Sequence, residues 1–287
     1  MKRELAELTV IKTGPGTSIQ DLGRIGFSGF GVPVSGAMDA FAMKWVNYLL
    51  GSSENAAVIE TLQPGLKLQF NAPTKICVGG ALAKIKLNEN LISLDKVIPV
   101  ESGDILEIGA QTLGAINYIG IEGGFQTDEI LGSRSFYQGI TSISQLSKGN
   151  NLSYFKGKSS SITKGAKVKI SRDYLEDEVL EVYKGPEWRF LDTESKEALN
   201  SSTFTLSKLL NRMAFQIEEL VPNLLQEMAT APVYPGTVQL TSGGKLIVLM
   251  KDAQVTGGYP RVLQLPEKSI AQLSQKRAGS KFRFKIK

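Results

Sequence analysis

Short stretches in which apolar and polar residues alternate recur along the chain. Residues 7–12 (ELTVIK), 66–70 (LKLQF) and 281–287 (KFRFKIK) place every second side chain on one face, the period of a half-buried strand. In the last of these, Phe282, Phe284 and Ile286 point inward and the basic residues outward. Apolar runs at 75–78, 114–121 (GAINYIGI) and 246–250 (LIVLM) predict strands buried on both faces. Shorter strands are expected at 56–61, 83–87, 91–94, 98–100, 105–108, 180–183, 204–206 and 213–217, with another in KVKISR at 167–172. Turn signals separate them: Gly14-Pro15-Gly16, Pro64-Gly65, Gly79-Gly80, Asn88-Glu89-Asn90, Ser102-Gly103-Asp104 and Gly123-Gly124. Residues 174–177 read as a linker.

The clearest helical period lies just after a glycine-rich loop. Met38, Phe41, Ala42, Trp45, Val46 and Leu49 form one apolar stripe, with Ser35 or Gly36 as cap and Gly51 as stop. Asp39 then falls in the first turn, where the helix dipole favours a carboxylate. Short helices are expected at 193–199 and 267–275. Many short strands, close turns and few helices indicate a mainly β protein built as a barrel or sandwich.

The chain also resembles itself. VIKTGPGTSIQD at Val10 matches EVYKGPEWRFLD at Glu181, PGLKLQF at Pro64 matches PGTVQL at Pro235, and SGDILEI at Ser102 matches AGSKFRF at Ala278. Three matches in the same order at nearly constant offset predict two copies of one fold. They divide the chain into residues 1–172 and 178–287.

The chain has 287 residues and a net charge of +5. Histidine is absent, which removes Ser-His-Asp and Cys-His nucleophile systems and every His-ligated metal site. With one cysteine, Cys77, neither an internal disulfide nor a four-cysteine zinc site can form, so no metal is expected. Acid–base chemistry falls to carboxylates, Lys, Tyr or backbone amides. No apolar run reaches the roughly 18 residues of a membrane helix. The basic end, Lys276 to Lys287, belongs to no nucleic-acid module. MKRELAELTVIK lacks the apolar stretch of a secretory signal, so the cytoplasm is the expected compartment.

Two loops carry candidate chemistry. The first, residues 17–39, has glycines at 23, 26, 29, 31 and 36, and among them Gln20, Asp21, Arg24, Ser35 and Asp39. Gln20, Asp21 and Arg24 suit a substrate-polarising set, and Asp21 with Arg24 equally suits a local salt bridge. The second is DAQVTGGYPR, where the buried strand at 246–250 runs into Asp252, Thr256, Gly257, Gly258, Tyr259 and Arg261. Paired glycines expose backbone N–H groups to an anion or a developing oxyanion, and an arginine fork suits a carboxylate. Glu60 sits in an apolar run, a setting for a candidate acid or base. Neither loop is a nucleotide-binding motif.

At these residues the sequence resembles the allophanate hydrolase subunit 2 family, which includes biotin-dependent carboxyltransferase homologues and the C subunit of 5-oxoprolinase. The blocks are TSIQDLGRIGFSGFGVPVSGAMD, VNYLLG, AAVIETLQPGLKLQF, LGSRS, NRM, PGTVQL and KDAQVTGGYPR. The resemblance implies two tandem cyclophilin-like β-barrel domains with a few short helices. It implies one member of a complex that opens 5-oxoproline to glutamate with ATP. Its partners there would be a B subunit similar to allophanate hydrolase subunit 1, and an A subunit. ATP is expected with or on the partner chains, with no biotin on this chain. Within that scheme Asp39, Glu60 or Asp252 would move protons and Arg24 or Arg261 would hold the substrate carboxylate. The Gly257 and Gly258 amides would meet an oxyanion, with Gln20, Ser35, Thr256 and Tyr259 as further contacts. A carboxyltransferase subunit of a biotin-dependent urea or amide carboxylase, and a regulator that binds a kinase-inhibitor-like subunit, remain alternatives.

Overall fold

The computed structural model describes residues 3–62, 64–157 and 171–287. The chain forms two compact units. One comprises the residues up to Gly23 together with Asp39–Arg172, and the other Arg24–Met38 together with Asp173–Lys287. Most of the first glycine-rich loop therefore belongs to the second unit.

The first unit is one sheet of nine strands: β1 (Leu5–Lys12), β2 (Ser18–Gln20), β3 (Val58–Thr61), β4 (Leu66–Phe70), β5 (Thr74–Leu87), β6 (Asn90–Ile92), β7 (Ile98–Val100), β8 (Ile105–Ile121) and β9 (Asn151–Phe155). Its path runs β2-β3-β8-β4-β1-β9, and β5 pairs with β6, β7 and β8. Sequence signals divide both β5 and β8 into two strands, but each is continuous. The Gly79-Gly80 step does not end β5; the pairing with β8 shifts register after Gly80, and Gly80 takes φ 88°. A bulge bends a strand without stopping it, and here it curls the sheet. Leu8, Ile19, Leu68, Phe70, Ile119 and Tyr154 are fully buried in the core that results.

Helix α1 (Ala40–Leu49) lies on β5 and β8. Its buried residues are Ala40, Ala42, Met43, Val46 and Asn47, whereas Phe41 is half exposed. The expected stripe is thus rotated: Met43 and Val46 face the sheet, and Phe41 faces solvent beside a stacked Trp45–Tyr48 pair with ring centroids 5.6 Å apart. The reason lies in the sheet. A Cβ at Gly79 would fall 2.6 Å from Val46, and one at Gly120 would fall 2.4 Å from it, so two glycines let the helix settle around Val46.

In the second unit seven strands close into a barrel in the order β10-β17-β14-β15-β12-β11-β18. They are β10 (Val179–Lys184), β11 (Phe204–Leu210), β12 (Ala214–Leu220), β14 (Thr237–Leu240), β15 (Lys245–Leu249), β17 (Arg261–Gln264) and β18 (Lys281–Ile286). A two-stranded pair, β13 (Ala231–Pro232) with β16 (Thr256–Gly257), stands apart. The barrel closes through a parallel pairing of β10 and β18. The alternation in β18 holds: Phe282 and Phe284 are buried and pack with Phe204 at centroid distances of 6.1 and 5.2 Å. The stretch expected as a linker overlaps a short helix, α2 (Asp173–Glu176). Helices α3 (Thr193–Ser201) and α4 (Glu267–Ser274) lie where expected. The strand expected at KVKISR falls mostly outside the described residues.

The fold class read from the sequence is the one found: mainly β, in two units, with few short helices. The matched repeat segments share turn chemistry, since Gly65 and Gly236, and Gly103 and Gly279, all take positive φ before a strand. Their pairings differ, however: β1 pairs with β4 and β9, whereas β10 pairs with β17 and β18.

Candidate functional site

In the first unit the candidate polar residues are sealed from solvent. Gln20, Asp21, Asp39 and Glu60 are all buried. Asp39 is not a first-turn residue, nor do Ser35 or Gly36 cap α1. Asp39 is itself the N-cap, its Oδ1 accepting from the Ala42 N–H at 2.9 Å. Its own N–H donates to Tyr118 Oη at 2.7 Å, and that hydroxyl donates to Glu60 Oε2 at 2.8 Å. Strand register explains the meeting, because Glu60 on β3 is the partner of Tyr118 on β8. Burial, with the Glu60 and Asp39 carboxylates beside it, pushes the Tyr118 phenol well above its usual range. Gln20 donates to Ser18 Oγ at 2.9 Å, while its Oε1 has no partner among the described residues.

Asp21 is a structural anchor. Its carboxylate accepts from Ser133 Oγ (2.6 Å), Ser135 Oγ (2.7 Å), Arg134 N–H (2.6 Å) and Gly23 N–H (2.8 Å). The LGSRS block thus supplies hydroxyl and backbone donors to Asp21. Cys77 is buried, and burial pushes its thiol up to about 12, which leaves it inert.

In the second unit three loops converge. Arg212 grips Asp252 with two bonds, Nε to Oδ2 at 2.8 Å and Nη2 to Oδ1 at 3.0 Å, and Nη2 also donates to the Gly36 carbonyl at 2.7 Å. The Asp252 N–H returns to the Arg212 carbonyl, and the Ser35 N–H donates to the Lys251 carbonyl. Ser35 is fully buried at φ 58°, a region that residues other than glycine rarely adopt, and its Oγ has no partner among the described residues. Lys251 is spent on Glu267 at 2.6 Å. Arg24 is buried, its backbone N–H bound to the Val34 carbonyl.

Asp252 is partly exposed, as are Gly257, Gly258 and Tyr259, and Thr256 is exposed. The Gly258 carbonyl accepts from the Met228 N–H, and Gly257 pairs with Ala231. Arg261 is not free to grip a ligand carboxylate. Its Nε and Nη2 hold both oxygens of Glu187 at 2.9 Å, and Nη1 donates to the Pro232 carbonyl at 2.8 Å. That pairing holds the Glu187 carboxyl below its usual range.

A family model, "Carboxyltransferase domain, subdomain A and B", matches residues 30–286. The chain belongs to this carboxyltransferase family. Among its relatives, the C subunit of 5-oxoprolinase from Escherichia coli (strain K12) is 30% identical over 96% of this chain and 90% of its own length. Urea amidolyase of Lachancea kluyveri is 40% identical over 44% of this chain, which is 7% of that protein. The solved structure of TTHA0988 superposes with a TM-score of 0.86 at 23% identity, covering 99% of this chain and 56% of that one, and at that identity the likeness concerns the fold. The chain therefore spans about half of that solved relative.

Within this family member, sequence reasoning misses Tyr118, hidden in an apolar strand, and Glu187, which shares its segment with a turn. Arg212 lies in the NRM block, but only folding reveals its partner, Asp252.

Proposed function

We propose that this carboxyltransferase-family chain is the C subunit of an ATP-dependent 5-oxoprolinase, working in complex with the A and B subunits. The observation that carries the reading is its 30% identity to the E. coli C subunit over nearly the full length of both chains. The lactam of 5-oxoproline is unreactive toward water. ATP supplies a phosphoryl group to its carbonyl oxygen, which opens the ring carbon to attack and yields glutamate, ADP and phosphate. ATP is a co-substrate held with or by the partner chains. The Gly257-Gly258 step carries no phosphate-binding motif, and the nearby Lys251 is already paired with Glu267.

In this reading Asp252 is the proton-handling carboxylate, because it is partly open to solvent and oriented by Arg212. The Gly257–Gly258 backbone meets the developing oxyanion, with Thr256 and Tyr259 on either side of it in the chain. Asp39, Glu60 and Gln20 are sealed in the first unit, where Asp39 caps α1 and Glu60 ties β3 to β8 through Tyr118. Of the two arginines expected at the substrate carboxylate, Arg24 is fully buried and Arg261 is committed to Glu187.

A second reading has its own observation. The match to urea amidolyase favours carboxyl transfer from carboxybiotin to an amide nitrogen, with biotin carried by another chain. One experiment separates the two. Glutamate release from 5-oxoproline and ATP is measured for the co-expressed genomic neighbours with and without this chain. Release that requires the chain supports the 5-oxoprolinase reading. An assembled complex that releases none rejects it in favour of carboxyl transfer or a regulatory role.

A further inference from the structure

Gln239 lies on β14, where all four residues are buried. Val238 and Leu240 are fully buried on one face of the strand, so Thr237 and Gln239 share the opposite face. There Thr237 is satisfied by Gln264 Oε1 at 2.9 Å. Gln239 is 2% exposed, and its Nε2 has no acceptor among the described residues. A buried donor without an acceptor destabilises the fold, so its presence calls for another cause.

Two features place this amide at the second loop. The β14–β17 pairing breaks register between Val238 and Gln239, so that Gln239 pairs with Arg261. Such irregularities re-aim side chains. In addition, a Cβ on Gly257 would fall 2.4 Å from Gln239 Nε2 and 3.5 Å from its Cδ. Gly257 does not take a positive φ. The position therefore needs glycine for space rather than for conformation, and Gln239 occupies that space.

We propose that Gln239 is a substrate-binding residue, whose side-chain N–H donates to the carbonyl oxygen of a small amide lying on the Gly257–Gly258 step. The inference rests on the amide-substrate reading above and adds the group that recognises the amide. Sites built around a polar donor discriminate strongly against analogues that lack the matching acceptor.

The test uses the assembled complex with this chain labelled with 15N-glutamine. The Gln239 side-chain resonance is the one lost in Gln239→Met. 5-Oxoproline and urea are the probes. The expected result is a shift of that resonance on adding 5-oxoproline, together with a KM about tenfold higher in Gln239→Met, which removes the donor without burying a charge. If glutamate forms but the resonance and the KM stay unmoved, the assignment of Gln239 is overturned and the reaction stands. If no glutamate forms and urea alone moves the resonance, the assignment stands and the 5-oxoprolinase reading is overturned. Neither glutamate nor a shift overturns both.

Discussion

Arg212 and Asp252 form a two-point ion pair in which both bonds are 3.0 Å or shorter. A guanidinium fork fixes both the position and the plane of a carboxylate, which a lysine cannot do. Asp252→Ala is expected to abolish turnover of the complex while assembly survives. Arg212→Lys, which keeps the charge and loses the fork, is expected to reduce kcat at least about tenfold, the effect of losing one charge-assisted hydrogen bond. Glutamate release and size-exclusion chromatography of the complex check both; wild-type turnover in Asp252→Ala would remove that residue from the reaction.

Gly120 exists because of Val46. Gly120→Ala is expected to cost about 1–3 kcal/mol, since the new methyl overlaps a buried side chain. Val46→Ala in the same background should recover much of the loss, giving a clear coupling in a double-mutant cycle. Urea midpoints provide the measurement, and additive effects of the two changes would contradict the contact.

Tyr118→Phe removes one hydroxyl that serves two buried partners, the Glu60 carboxylate and the Asp39 N–H. A stability loss of about 1–3 kcal/mol is expected from the groups left behind. The loss should appear as a lower urea midpoint with an unchanged slope, meaning that the native state keeps its compactness. An unchanged midpoint would show that the bridge contributes nothing.

Glu187 gives acid sensitivity with a definite sign. Its folded carboxyl lies below the usual value because Arg261 donates to it. The native state therefore binds this proton less readily than the unfolded chain. The stabilisation is complete above about pH 4.3, the unfolded value, and disappears as pH falls through the lower folded value. Glu187→Gln should flatten stability against pH in that acid window and lower it by about 2 kcal/mol at neutral pH, for a mostly buried pair. An acid limb as steep as the wild type's would place the proton uptake elsewhere.

Strand period and turn chemistry make most of the β architecture legible in the sequence. The alternation in KFRFKIK announces its buried phenylalanines, and the apolar run LIVLM announces an inner strand. The failures have physical causes. Gly79-Gly80 looks like a stop, but a glycine with positive φ also permits a bulge, and only the long pairing with β8 decides between them. The face of α1 misleads because Phe41 and Trp45 are more hydrophobic than the small residues that the sheet admits. Asp21 has Arg24 close by in the chain, yet its donors come mostly from residues 133–135, far along it. Arg261 looks available until the fold brings Glu187 to it. Local pattern shows which residues are polar and near glycine; tertiary contacts decide which of them are already occupied.

The transfer of Arg24–Met38 to the second unit has a consequence for how the protein is made and dissected. The Ser35 N–H finds the Lys251 carbonyl, and the Gly36 carbonyl finds Arg212, only after most of the chain has been synthesised. Until then this glycine-rich segment has emerged without its partners, while its flanks at Gly23 and Asp39 already belong to a different unit. Contacts so distant along the chain slow folding. A cut after Arg172 would separate the later barrel from its own early segment, so the gene cannot be split at the obvious junction into two self-sufficient halves.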